Sequence, residues 1–411
     1  MEYGCIGEHL SHSFSKEIHE HIADYEYTLR ELSPSEVAPF MLGKNFKAIN
    51  VTIPYKETVI PFLDEMDEGA RLIGSVNTVV NREGKLFGYN TDFYGLSALI
   101  KKAKIDPRDK KVLVLGTGGT SKTAEAVCRS LKAREIVKAS RKAENGGILY
   151  NDVYKYHTDS EIIINTTPVG MFPNIWDMPI DLMKFPRLEG IIDAIYNPLS
   201  TELVLKAREL GIPAEGGLYM LVAQGVRASE HFLSARNEDE LTDRIYEAIS
   251  QEKRSIVLIG MPSSGKTTVG KMIADGLSRR FIDTDALIEE RYGPIPQIFK
   301  ERGEDYFRLI ESEIIKEISA INGAVIATGG GAVLKKENIS ALRKNGRIYF
   351  IDRPLASLIP TKDRPLAGTK NAIEDLYRER IEIYRTAADV TVDASVDTRT
   401  VALRIISNLR S

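Results

Sequence analysis

Directly behind an apolar run, Ser255-Ile-Val-Leu-Ile259, stands Gly260-Met-Pro-Ser263-Ser264-Gly265-Lys266-Thr267-Thr268. This is the G-x4-G-K-[ST] pattern. Backbone amides of such a loop cradle phosphates, the lysine reaches the terminal phosphates, and the first hydroxyl ligates Mg²⁺. Further on, Phe281-Ile-Asp283-Thr-Asp285 carries two carboxylates that an extended segment would place on one face. One suits the water shell of a metal ion and the other can accept a hydroxyl proton. Together these residues point to phosphoryl transfer from ATP with Mg²⁺. A second glycine cluster, Gly116-Thr-Gly118-Gly119, follows the apolar run Lys111-Val-Leu-Val-Leu115. It is a dinucleotide-type turn, in which glycines let backbone N–H groups approach a pyrophosphate at a helix N-terminus. The third glycine of G-x-G-x-x-G is absent, so a plain strand-to-helix turn is the competing reading. The next run, Glu135-Ile-Val-Lys-Ala139, ends in Ser140-Arg141-Lys142. A hydroxyl and two cations there suit a ribose 2′-phosphate, and the expected cofactor is NADP(H).

These clusters must be held by alternating strands and helices, which favours α/β layers with mainly parallel sheets. The phosphate loop begins after roughly 250 residues, so the chain reads as two machines in series, in keeping with 411 residues at roughly 100–200 per domain. A helical stretch from about 238 to 250 gives way to polar Ser250-Gln-Glu-Lys-Arg254, after which a strand begins at once. That polar break is the expected domain boundary and a short linker. Hydrophobic content of 43%, charged content of 27% and a net charge of -3 are those of an ordinary globular enzyme without a basic footprint for nucleic acid. No apolar run approaches the ~18 residues of a membrane span, and the first residues lack a basic region followed by an apolar core. Cys5 and Cys128 make no disulfide framework, and the histidines His9, His12, His19 and His21 lack the companion spacing of a metal site. The expectation is a cytoplasmic protein with small-molecule substrates, no nucleic-acid or membrane partner, and a monomeric or homodimeric state.

The residues ahead of the dinucleotide-type turn carry a resemblance. His12-Ser13-Phe-Ser15-Lys-Glu-Ile-His19, Asn50-Val-Thr52-Ile-Pro54-Tyr-Lys56, Gly74-Ser-Val-Asn77-Thr78 and Gly88-Tyr-Asn90-Thr91-Asp92 follow in order. Behind the turn come Asn165-Thr-Thr-Pro168-Val-Gly170-Met171, Asp193-Ala-Ile-Tyr196-Asn-Pro198 and Gly217-Leu-Tyr-Met220-Leu-Val-Ala-Gln224. Over about residues 1–250 this series resembles shikimate dehydrogenase. The resemblance implies that Lys56 and Asp92 form the catalytic pair. It assigns substrate contacts to Ser13, Ser15, Thr52, Asn77 and Gln224. Cofactor contacts would come from Gly116, Gly118, Gly119, Ser140, Arg141, Lys142 and Gly217. The chemistry agrees: hydride transfer to a ketone leaves a developing alkoxide, which a lysine ammonium can both stabilise and protonate. Lys16 and Glu20 depart from the family's usual proline and asparagine, and Thr120-Ser-Lys-Thr is less rich in small residues than usual.

The later residues resemble shikimate kinase over 253–411, through the phosphate loop, Asp283 and Asp285, Ile298-Phe299, Gly303-Glu304-Asp-Tyr-Phe307-Arg308-Leu-Ile-Glu311, Ala327-Thr328-Gly329-Gly330-Gly331-Ala332, Arg364-Pro365-Leu366 and Arg380 to Tyr384. The resemblance implies that Asp285 binds the reacting hydroxyl and that Asp283 holds Mg²⁺ through water, with Thr267 as a direct ligand. Arg308 and Arg380 would clamp the substrate carboxylate, a job for arginine's planar fork. Gly330 and Gly331 would offer N–H groups to substrate, and Arg364, on a lid, would act with Lys266 on the transferring phosphoryl group. Gly260, Ser263, Ser264, Gly265, Lys266, Thr267 and Thr268 would hold the nucleotide. The lid, Ile359-Pro-Thr-Lys-Asp363, is shorter than the family's and lacks its extra arginine, a place that Lys362 could fill electrostatically.

The expectation is an α/β chain with an N-terminal substrate domain and a Rossmann NADP-binding domain, followed by a P-loop kinase domain with a parallel sheet. Residues 1–96 with 220–250 would bind substrate, 97–219 NADP, and 253–411 would form the kinase. The first half would reduce 3-dehydroshikimate to shikimate and the second would phosphorylate shikimate to shikimate 3-phosphate. Two alternatives are an NAD-dependent quinate/shikimate dehydrogenase in the first half and a non-catalytic sensor or repressor. Retention of Lys56, Asp92, Lys266 and Asp285 argues against the second.

Overall fold

Apolar runs bounded by turn residues become the strands of three sheets in the computed structural model, which describes residues 1–11, 13–360 and 366–410. Arg364 and Lys362 lie outside the described residues. The chain divides into two compact units, Met1–Ile249 and Ser250–Ser411.

The first unit holds two sheets. One comprises β1 (Tyr3–Gly7), β2 (Tyr27–Glu31), β3 (Ala48–Val51), β4 (Glu65–Met66), β5 (Thr78–Arg82) and β6 (Lys85–Tyr89), in the order β2-β1-β3-β5-β6-β4. The sheets are mainly parallel, as expected, and this one holds the exceptions, because β5 runs antiparallel to both β3 and β6. The cause is a tight hairpin: Glu83 and Gly84 take φ of 52° and 85°, the two left-handed positions of a two-residue turn whose twist matches its strands. The other sheet comprises β7 (Lys111–Leu115), β8 (Glu135–Ser140), β9 (Gly147–Leu149), β10 (Ile162–Asn165), β11 (Gly190–Asp193) and β12 (Ala214–Glu215), in the order β12-β11-β10-β7-β8-β9 and parallel throughout. Its inner strands β7, β10 and β11 are buried on both faces, so they read as nearly continuous apolar runs. Val112, Val114, Ile162 and Ile164 pack on one side; Leu113, Leu115 and Ile163 pack on the other. The order reverses at β7 and β10, the crevice where open α/β sheets bind ligands.

The second unit has one parallel sheet of β13 (Ser255–Ile259), β14 (Phe281–Asp283), β15 (Val325–Ala327), β16 (Gly346–Asp352) and β17 (Val390–Asp393), in the order β14-β15-β13-β16-β17. The central strand β13 is wholly buried and delivers the phosphate loop at its carboxyl end.

The expected linker is a helix. Leu241–Lys253 runs without interruption through Ser250, so the polar residues are its last turn rather than a break. They contain no glycine or proline, and serine, glutamine, glutamate and lysine cost a helix little. Among the described residues no helix is long and apolar enough to cross a membrane.

Candidate active sites

In the first unit, Lys56 lies in the turn after β3, and Asp92 is the first residue of the helix Asp92–Lys102. Their side chains meet at 2.5 Å, Lys56 Nζ to Asp92 Oδ2, and are 13% and 7% exposed. The pair is therefore shielded yet open at one edge. Beside it, Asn77 Nδ2 donates to Thr91 Oγ1 at 3.0 Å and to Gln224 Oε1 at 3.2 Å, while the Thr91 N–H donates to Asn77 Oδ1 at 2.8 Å. Gln224 comes from the helix Leu218–Leu233, which returns to pack on Asp92–Lys102. Gly95 permits the approach, since a Cβ there would lie 2.6 Å from the Met220 carbonyl. Thr91 binds the predicted residues together although sequence reasoning gave it no role; its place between Asn90 and Asp92 was the available signal. Ser13 and Ser15 bond to each other, Oγ to Oγ, at 3.0 Å, and the Thr52 N–H joins β3 to the Ile6 carbonyl at 2.9 Å.

The dinucleotide-type turn abuts this pair. A Cβ on Gly119 would stand 3.0 Å from Ser75 Oγ and 3.8 Å from Lys56 Cδ, and Lys122 on the following helix pairs with Glu57 at 2.8 Å. A Cβ on Gly118 would meet nothing within 4 Å, so this face of the turn is open to a ligand. Gly116 is tight against Thr166, and Ser121 Oγ donates to the Gly116 carbonyl at 2.7 Å. Gly217 starts the helix Leu218–Leu233 and is pressed against the protein: a Cβ there would lie 2.1 Å from the Ala194 carbonyl. Ser140 ends β8, with Arg141 and Lys142 exposed behind it. Asp193 is wholly buried, and burial pushes its carboxyl up to about 7 against the opposing pull of Thr201, the Ile195 N–H and Asn165. It fastens the loop behind β11 to β10.

In the second unit, the phosphate loop bends back through Gly260, Ser263 and Gly265, with φ of 152°, 65° and 94°, and Lys266 opens the helix Lys266–Leu277. The left-handed turn at Gly265 is where glycine matters most, since it aims the first N–H groups of that helix into the loop. Lys266 Nζ donates to the Gly260 and Met261 carbonyls at 2.8 and 3.0 Å. Ser263 Oγ donates to the Ile359 carbonyl at 2.8 Å, while the Ser264 hydroxyl is buried without a partner.

Asp283 and Asp285 do not share an extended face. The strand ends at Asp283, whose Oδ1 accepts from the Asp285 N–H at 3.0 Å and caps the helix Thr284–Tyr292, and Asp285 lies in its first turn. An aspartate at the helix cap satisfies amides that an extended continuation would leave for other partners. Thr267 Oγ1 donates to Asp283 Oδ2 at 2.7 Å, so the two expected metal ligands are adjacent. Among the described residues no group of three or more His, Cys, Asp or Glu side chains could hold an ion unaided.

Asp285 points elsewhere, toward Gly329. A Cβ on Gly329 would lie 2.5 Å from Asp285 Oδ1 and 2.7 Å from Glu311 Oε1. Glu311 pairs with Arg308 at 2.7 Å and is fully buried; burial raises its pKa, Arg308 opposes that shift, and Asp285 adds to it. Arg308 also holds Glu304 at 3.0 Å, and a Cβ on Gly331 would collide with its guanidinium. Arg380, 4% exposed, donates to the Gly330 carbonyl at 3.4 Å, and the Tyr384 hydroxyl donates to the same oxygen. Both arginines thus flank Gly330-Gly331, and Pro262 of the phosphate loop packs against Gly330. Glu311 and Tyr384 were missed as site residues. Glu311 was readable as a charge on the buried stripe Phe307, Ile310, Ile314, Ile315.

The shikimate dehydrogenase substrate binding domain model matches residues 5–79, and the shikimate kinase model matches residues 262–410. The chain is 34% identical over 264 residues to a shikimate dehydrogenase (NADP(+)) of Clostridium perfringens, covering 60% of this chain and 97% of that one. It is 37% identical over 247 residues to the enzyme of the same name from Caldicellulosiruptor bescii, covering 54% and 86%. The crystal structure of shikimate dehydrogenase 1 from Peptoclostridium difficile aligns with a TM-score of 0.57 at 34% identity, over 61% of this chain and 98% of that one. With its lysine–aspartate pair set against a dinucleotide turn in one unit and a phosphate loop set against paired arginines in the other, the chain belongs to the shikimate dehydrogenase family and carries a shikimate kinase domain behind it, an enzyme of two halves.

Proposed function

We propose that the first unit reduces 3-dehydroshikimate to shikimate with NADPH and that the second phosphorylates shikimate to shikimate 3-phosphate with ATP and Mg²⁺. Residues 1–96 with 220–250 are taken as the substrate-binding part, 97–219 as the NADP-binding part and 253–411 as the kinase. The observation that carries the reading is the position of Lys56, bonded to Asp92 on one side and against Gly119 of the open turn on the other.

NADPH, when bound, supplies the hydride for the substrate's carbonyl carbon. Lys56 then gives a proton from its ammonium to the developing alkoxide oxygen, and Asp92 holds that ammonium in place and accepts from a substrate hydroxyl. Asn77 and Gln224, already fixed by Thr91, orient the rest of the ring. Gly118 leaves room for the pyrophosphate, and exposed Arg141 and Lys142 suit a 2′-phosphate.

In the second unit, MgATP supplies the phosphoryl group. Asp285 accepts the proton of the attacking hydroxyl, and Arg308 and Arg380 take the substrate carboxylate. Lys266 leaves its carbonyl partners for the phosphates. Thr267 and Asp283 fit Mg²⁺, which keeps several waters and takes one or two protein oxygens beside phosphates. The product hydroxyl of the first reaction is the nucleophile of the second. Assays of the purified chain with NADPH and NADH test the cofactor assignment: a preference for NADPH that disappears in Arg141→Ala/Lys142→Ala supports it, and equal use of both cofactors by the unmodified chain overturns it.

A further inference from the structure

Arg353 follows β16, which lies parallel to β13 with Phe350 opposite Ile259. The two strands therefore release their chains at the same end of the sheet, one into the phosphate loop and the other into Arg353. A Cβ on Gly265 would stand 3.8 Å from Arg353 Nη1 and 3.7 Å from Thr398 Cγ2, so the guanidinium lies against the turn that starts the helix Lys266–Leu277. Its Nε is buried without a hydrogen-bond partner. Nearby carboxylates are engaged elsewhere: Asp352 with Arg385 at 3.9 Å, Asp393 with Arg404 at 3.3 Å, and Asp397 with the Thr400 hydroxyl at 2.7 Å. Two cations, Lys266 and Arg353, thus stand at the positive end of a helix dipole, an arrangement that is unfavourable until an anion arrives.

We infer that Arg353 is a nucleotide-binding residue whose guanidinium contacts the diphosphate that ATP and ADP share, on the β16 side of the phosphate loop. The inference rests on the nucleotide reading of that loop. A planar guanidinium with a free donor suits bridging phosphate oxygens better than a lysine point charge.

The test uses the full chain and measures binding of MgADP, adenosine and shikimate, together with Tm without nucleotide, for the wild type, Arg353→Ala, Arg353→Gln and Lys266→Ala. Both Arg353 variants are expected to weaken MgADP by about tenfold, the order of one lost charge-assisted hydrogen bond. Adenosine and shikimate binding should be unchanged, and the nucleotide-free Tm should be equal or higher, because a like charge has left the helix end. An MgADP affinity within about twofold of wild type overturns the inference, being too small for a lost charged contact. So does a weakened affinity for adenosine, which would place the side chain on the base, or a fall in the nucleotide-free Tm of both variants, which would make Arg353 a support of the fold. If Lys266→Ala also leaves MgADP binding intact, the nucleotide reading of the loop fails and takes this inference with it.

Discussion

Arg308 and Glu311 meet where neither charge reaches bulk water freely, the carboxylate being 0% and the guanidinium 11% exposed. Removing one member leaves the other charged or forces it to change protonation, and either is costly. Arg308→Ala should therefore destabilise the second unit by about 3–5 kcal/mol as well as removing the carboxylate clamp; thermal unfolding checks it, and an unchanged Tm would show that Glu311 finds another partner. His19 offers a different test. Its ring stacks on Tyr27 at 4.0 Å, its Nδ1 lies 2.6 Å from the Tyr25 hydroxyl, and burial holds its pKa down at about 3. The folded protein keeps His19 neutral while the unfolded chain protonates it below the ordinary value of 6.5. Its contribution to stability is thus complete above that value and is lost as pH falls toward 3, at about 1.4 kcal/mol per pH unit. Denaturant unfolding of wild type and His19→Gln should show their difference shrinking between pH 6.5 and 4. A difference constant with pH would contradict a buried neutral imidazole.

At the scale of elements, glycines divide by what surrounds them. Gly217 has an ordinary φ of -76° but no room, so Gly217→Ala should cost about 1–3 kcal/mol through overpacking against the Ala194 carbonyl. Gly118, also at a negative φ, has open space, so Gly118→Ala should change stability by less than about 0.5 kcal/mol while raising the KM for NADPH. Measuring both properties in both variants separates packing from binding; a Gly118→Ala protein with wild-type KM would deny the open face its role. The parallel strands were legible because burial on both faces writes itself as apolar runs, and β7 and β13 begin and end where those runs do. Other boundaries were less so. Asp283-Thr-Asp285 alternates like a strand, yet Asp283 is also a strong helix cap, and the unmet amides of Thr284–Tyr292 decided between the two. Polar Ser250 to Lys253 looked like a linker because composition does not distinguish a helix's polar last turn from a loop. The hairpin at Glu83-Gly84 was written in the sequence as a glycine between alternating runs and was passed over.

For the whole molecule, each unit has its own sheets, its own core and its own cluster of chemically competent side chains. Ordered motifs made the two halves readable, because the reacting groups are local to short segments. The contacts among segments were not readable: Asn77 with Gln224, or Arg380 with the Gly330 carbonyl, join residues far apart in the chain, and only the fold sets those distances. Two self-contained sites should fail separately. The most direct measurement is a coupled assay of the full chain with 3-dehydroshikimate, NADPH and MgATP, following NADPH loss and shikimate 3-phosphate, with each half also assayed on its own substrate. Lys56→Ala should lower the reduction by about 10²–10⁴-fold and leave phosphorylation of added shikimate nearly intact. Lys266→Ala should spare the reduction and lower phosphorylation by about 10²–10³-fold. Either substitution silencing both reactions in a folded protein, or an unmodified chain that makes no shikimate 3-phosphate from 3-dehydroshikimate, would contradict the account.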